Sequence, residues 1–182
     1  MTQCEQAMRE WVRSVIVKYN FCPFARKEME NNTIKYHISS ASKTEDAVMD
    51  TLEQCQALNQ HPEIETTLVC FDKGFTDFDD FLGLIDLANA LLVAQGFEGT
   101  YQLAHFHPDY VFADSTDDDA ANYTNRAPYP TLHIIREESM EHALESYDEP
   151  ESIPENNMRL ARRKGADFWH ELLSKCAAKI ER

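Results

Sequence analysis

The six residues Thr66 to Phe71 (TTLVCF) form a nearly continuous apolar run bounded by turns. A strand with no polar face must be covered on both sides, so the run predicts a central strand between helices. The neighbouring sequence supplies those helices. From Lys43 to Asn59, Val48, Thr51, Leu52, Cys55 and Leu58 recur at helical spacing, and Ser42 with Glu45 forms a capping-box pattern at the start. From Asp77 to Ala94, Phe78, Phe81, Leu82, Ile85, Ala88, Leu91 and Leu92 make a wide apolar face. Thr76 and Asp79 are the expected caps of this helix, acidic residues fill its first turn, and Gly96 follows its end.

The remaining segments extend this pattern. Gln3 to Tyr19 carries one apolar stripe (Ala7, Met8, Trp11, Val12, Val15, Ile16) and reads as a helix, with a strand as the alternative for Val15 to Tyr19. Thr33 to Ser39, Gln102 to Phe106 and Thr131 to Arg136 read as strands. Glu138 to Ser146 predicts a short helix, and Asp148 to Pro154 a polar linker. A last helix is expected from Glu155 to Lys179, with Ala161, Phe168, Trp169, Leu172, Cys176 and Ile180 on one side. Its basic patch, Arg159, Arg162, Arg163 and Lys164, reads as a solvated face. The order α-β-α-β-α-β-β-α-α predicts an α/β or α+β fold, a single globular domain over residues 1–182 with a mixed sheet of about four strands covered by helices. A length of 182 residues with 43% hydrophobic content is enough for one substantial core.

A net charge of −15 repels phosphates and anionic lipid, which argues against nucleic acid and membrane surfaces as partners. Five cysteines, an odd number without C-x-x-C spacing, argue against a disulfide framework or a zinc knuckle. They fit a reducing compartment. The start MTQCEQAMREW lacks the basic and apolar blocks of a signal peptide, and no run of 18 apolar residues occurs. The expectation is a cytoplasmic protein.

The last two predicted strands are separated by residues 107–130, whereas loops longer than about 12–15 residues are uncommon unless functional or disordered. This one is rich in aromatics, Pro-marked turns and reactive side chains, so it is expected to be ordered and site-forming. His105 and His107 form an H-x-H pair whose alternation puts both imidazoles on one face, and His133 on the partner strand could complete a zinc or iron site with them. The competing reading has His107 bonding the loop and His105 packing. Asp114, Asp117, Asp118 and Asp119 could hold a hard cation, but lack a calcium-loop spacing and read better as a solvated acidic turn in which one Asp anchors backbone amides. Arg126, within Asn122 to Arg126 (NYTNR), is the cation expected to face the loop interior and clamp an anionic group, or else to pair with Asp109, Asp114 or Asp117. Cys22, in Cys22-Pro23-Phe24-Ala25, could be a thiolate favoured by a helix start. That motif, with Tyr129-Pro130-Thr131-Leu132, is similar to thioredoxin-like thiol proteins. The segment before Cys22 nevertheless looks helical, and a second redox cysteine is absent.

Four stretches carry a further resemblance: C-P-F-A from Cys22, F-H-P-x-Y-x-F from Phe106, D-x-x-N-Y-T-N-R-x-P-Y-P-x-L-H from Asp119 to His133, and Arg136-Glu137. In order and spacing the chain resembles the bacterial family called domain of unknown function 1415. The resemblance implies a cytosolic bacterial protein and brings no activity, cofactor or catalytic residue. The family usually has serine where this chain has His105, which shifts weight from an H-x-H metal pair toward His107, His133 and Arg126.

Three functions are compatible with these residues. The leading one is a small-molecule enzyme or binding protein for an anionic ligand, with its site in residues 105–137. His107 would act as acid/base, Arg126 would hold the anion, Asn125, Tyr123 and His133 would line the site, and Cys22 would approach it. The second is a non-enzymatic structural or partner-binding domain in which the loop is an interlocked lid. The third is a thioredoxin-like thiol enzyme using Cys22.

Overall fold

A computed structural model of the protein describes residues 1–178. Four strands, β1 (Ile34–Ser39), β2 (Thr66–Phe71), β3 (Tyr101–Phe106) and β4 (Thr131–Arg136), form one sheet in the order β1-β2-β4-β3. β1 lies parallel to β2, while β4 runs antiparallel to both β2 and β3. The fold is α+β with a mixed sheet. All six residues of β2 are buried, as a strand covered on both faces requires.

Alternation along the strands divides the core in two. Val69, Phe71, Leu132 and Ile134 point to one face and pack with α3 (Thr44–Gln60) and α4 (Phe78–Ala94). Leu68 and Cys70 point to the other, against α1 (Gln3–Trp11), a π-helical segment (Val12–Val17) and the C-terminal helices α6 (Ile153–Lys164) and α7 (Ala166–Ala178). Trp11 and Trp169, both almost fully buried, anchor this second layer. Two shorter α-helices, α2 (Ala25–Glu30) and α5 (Glu137–Leu144), and two 3-10 turns, Ala120–Thr124 and Pro150–Ser152, complete the described elements.

Several local expectations are corrected. The N-cap of α3 is Lys43, with no side-chain cap, so the Ser42/Glu45 capping box does not form. Asp77, rather than Thr76, caps α4, its carboxylate accepting from the backbone N–H groups of Asp79 and Asp80. Residues 12–17 continue helically, which removes the strand alternative there. The last helix is broken at Gly165, whose φ of 87° lies where glycine alone is unstrained. Its expected extension to Lys179 and the apolar position Ile180 lie outside the described residues. No described helix is long and apolar enough to cross a membrane.

Candidate functional site

Between the sheet and the N-terminal layer lies a cavity of about 400 Å³, within the range of roughly 300–1,000 Å³ usual for small-molecule sites. Its floor is the sheet: Thr66 and Leu68 of β2, Ala104 and Phe106 of β3, His133 and Ile135 of β4. These share one face because each pair is spaced by two and the strand register aligns Leu68 with His133 and Ala104 with His133. Trp11, Val12 and Ile16 close it from above, joined by Phe21, Cys22 and Phe24 from the turn that follows, Phe112 and Asn125 from the long loop, and Met158 from α6. The π segment contributes two of these residues, and π turns are rare features that occur often at functional sites.

The lining is mostly hydrocarbon, which makes its few polar atoms informative. Thr66 donates its hydroxyl proton to the Ile134 carbonyl at 2.6 Å. The 2.7 Å contact between Thr66 Oγ1 and His133 Nε2 therefore has the imidazole as donor. This places the proton of neutral His133 on Nε2 and leaves Nδ1 as an acceptor with no hydrogen-bond partner among the described residues. Burial holds the ring neutral by pushing its pKa down to about 4. Glu28 of α2, only 4% exposed, is the sole charged residue of the lining among the described residues. Its Oε2 accepts from the Thr33 hydroxyl at 2.5 Å. Cys22 is a half-buried residue of the lining, and desolvation raises its thiol pKa despite opposing contributions from the Phe24 and Ala25 amides. That shift runs against a thiolate nucleophile. The segment leading into Cys22 is helical, where a thioredoxin-like thiol motif needs a strand.

The structure brings Cys22, Asn125 and His133 to this cavity, and places the other candidate residues elsewhere. His107 is fully buried on the opposite side, in contact with the Phe78 and Phe81 rings. Its Nε2 lies 2.8 Å from the Phe75 carbonyl, and its Nδ1 accepts from the Asp109 amide at 3.0 Å. Both nitrogens serve the backbone, so in this arrangement neither is free for acid/base work or for a metal. His105 stacks on Tyr110 with ring centroids 5.5 Å apart. It pairs in register with Leu132, so it faces away from His133, and the sheet separates the proposed metal trio. No group of three metal-ligating side chains exists among the described residues.

Arg126 is likewise turned to the loop. Its Nε donates to the Tyr110 carbonyl at 3.0 Å and its Nη2 to the Asp117 carbonyl at 3.1 Å. The guanidinium sits 4.6 Å from the ring centre of Tyr123, and the Arg126 carbonyl accepts from the Trp11 indole at 3.0 Å. Neither the expected anion clamp nor an Asp carboxylate partner is seen. Buried Asn122 bridges the loop through Thr116 O and the Phe112 amide, and Asn125 donates to His105 O. In the acidic turn, Asp119 caps the short 3-10 turn Ala120–Thr124 and pairs with Arg162 at 2.8 Å. That pairing and the Ala121 amide hold its pKa down to about 2.

Sequence reasoning missed Thr66 and Glu28. Thr66 gains its role only from strand pairing. Glu28 lies in a six-residue helix, too short for a periodic signal.

A four-stranded mixed sheet, closed on one face by a helical layer around an apolar cavity, defines an α+β protein with an internal space of small-molecule size. The chain belongs to the family described as "Protein of unknown function (DUF1415)", which matches residues 3–171 and so includes every element of the cavity. No curated protein and no solved structure matches the chain.

Proposed function

We propose that this protein binds a small, largely apolar molecule in the cavity beneath Trp11, with His133 as its hydrogen-bond acceptor. The observation that carries this reading is the Nδ1 of a neutral imidazole, without a partner among the described residues, in a space walled mostly by hydrocarbon. An acceptor displayed into a largely apolar space selects and orients a ligand that supplies a donor. An anionic ligand is not supported: no Lys or Arg lines the cavity among the described residues, and the donors of Arg126 go to carbonyl oxygens. A cytosolic bacterial setting is kept as part of the proposal, supported by five free cysteines and the family resemblance. The test is a thermal-shift screen of small arenes bearing one hydroxyl group. Hits should raise the Tm of the native protein and lose their effect in His133→Phe, which fills the space and removes the acceptor. A Tm that no such compound moves would remove the reading.

A second reading, a ligand-free scaffold with an interlocked lid, is favoured by one set of facts. Asn122, Arg126 and His107 Nδ1 all engage backbone groups of the 107–130 connection, and His107 Nε2 ties its start to the Phe75 carbonyl. It predicts that substitutions at these residues lower stability and that no ligand response exists to be lost.

A further inference from the structure

Glu28 is out of place in this cavity. A carboxylate 4% exposed needs strong compensation, usually several donors or a close cation. Among the described residues it receives one side-chain hydrogen bond, from Thr33. Lys27 Nζ stands 3.8 Å from Oε1, on a side chain 79% exposed, where an ion pair contributes little. The rest of the wall offers a cation favourable company. Trp11, Phe21, Phe24, Phe106 and Phe112 line the same space, and aromatic rings attract cations. His133 Nδ1 adds an acceptor. Among the described residues no cationic side chain lines the cavity to compete, and a chain of net charge −15 raises the local concentration of cations.

From this we infer that the occupant is a hydrophobic amine, its ammonium group paired with Glu28 and its apolar body against the aromatic wall. The inference rests on the cavity-binding reading and adds the ligand's charge to it. A protonated amine supplies up to three N–H donors to a site that displays acceptors. A carboxylate or phosphate of the same shape would bring like charge to Glu28, with only the exposed Lys27 outside the lining to offset it.

The experiment uses three probes with one body and different heads: 2-phenylethylamine, 2-phenylethanol and 3-phenylpropanoate, measured by calorimetry on the full chain. The amine should bind about tenfold or more tighter than the alcohol, the size expected of a charge-assisted hydrogen bond, and the carboxylate should bind weakest. Glu28→Gln, nearly isosteric, should bring the amine to the level of the alcohol while leaving alcohol binding in place. Equal binding of amine and alcohol by the native protein overturns the amine assignment and leaves the cavity reading standing. A preference for amine that survives Glu28→Gln overturns the role of Glu28. Binding by none of the three overturns both the inference and the cavity reading. The native comparison decides the charge preference even if Glu28→Gln fails to fold.

Discussion

Thr66 and His133 are joined across the sheet by a 2.7 Å hydrogen bond whose direction is set by a third group, the Ile134 carbonyl that takes the threonine proton. The two lie on neighbouring strands, diagonal in register, on the cavity face. Because burial lowers the pKa of His133 from 6.5 to about 4, the folded protein binds fewer protons there than the unfolded chain between those values. Stability from this group is thus complete above pH 6.5 and is lost as pH falls toward 4. Over that window the loss should reach roughly 3 kcal/mol. His105 and His107, also lowered by burial, act in the same direction. Urea midpoints at pH 7 and pH 4.5 should differ less in His133→Gln than in the native protein. Imidazole nitrogen shifts should show Nε2 protonated and Nδ1 bare at pH 6.

His107 holds the turn after β2. Phe75 has a φ of 61°, a strained value for a bulky residue, and its carbonyl is the acceptor for His107 Nε2. His107→Ala should cost about 3 kcal/mol by urea titration, through an orphaned buried carbonyl and a void between Phe78 and Phe81. His107→Gln should recover part of it. Ligand binding in the cavity, on the other face of the sheet, should persist in any variant that folds.

The same turn constrains Gly74. A Cβ there would sit 2.4 Å from the Ala41 carbonyl oxygen, a backbone atom with little freedom to move. Gly74→Ala should destabilise by roughly 2 kcal/mol or more. A neutral outcome in thermal unfolding would show that the loops after β1 and β2 do not touch so closely.

Arg126→Ala should loosen the connection between β3 and β4. It frees the carbonyls of Tyr110 and Asp117 and uncovers the Tyr123 ring. A cost of about 2 kcal/mol is expected, with new protease cleavage between residues 110 and 120. Arg126→Lys should not restore resistance, since an ammonium cannot span both acceptors while lying flat on the ring.

Cys22 should alkylate more slowly than a free thiol at neutral pH, because desolvation raises its pKa. Its rate should fall further when a ligand fills the cavity it lines. Mass-spectrometric mapping of iodoacetamide adducts, with and without 2-phenylethylamine, measures both effects. A Cys22 faster than free cysteine would restore the thiol-enzyme reading.

Thr66 to Phe71 shows how far pattern alone reaches. A run without a polar face is informative in any topology, and it is the buried central strand. The helices on either side of it were legible for the same reason, within a residue of their ends. The site was only partly legible. Cys22, Asn125 and His133 were picked out for their chemistry and do line the cavity, but His107 and Arg126 carry equally reactive groups and spend them on backbone. Residue type cannot separate the two cases, because the difference is one of facing. That depends on β4 inserting between β2 and β3, a pairing that no local pattern encodes. Gly165 and Glu28 were hidden differently. A lone glycine is tolerated in a helical pattern, and a glutamate in a short polar stretch looks like surface.

The connection from His107 to Pro130 begins among Phe75, Phe78 and Phe81 on the α4 side. It ends with Ala120, Tyr123 and Ala127 packed into the Trp11 layer on the other. Antiparallel neighbours such as β3 and β4 need only a two-residue turn, yet this chain wraps the end of the sheet instead. The two hydrophobic layers are consequently laced to each other by one ordered strap. Neither can melt while the other stays folded without tearing the strap from its anchors. Slow amide exchange in α4 and in α1 should therefore share one opening free energy, and the protein should unfold as a single cooperative unit.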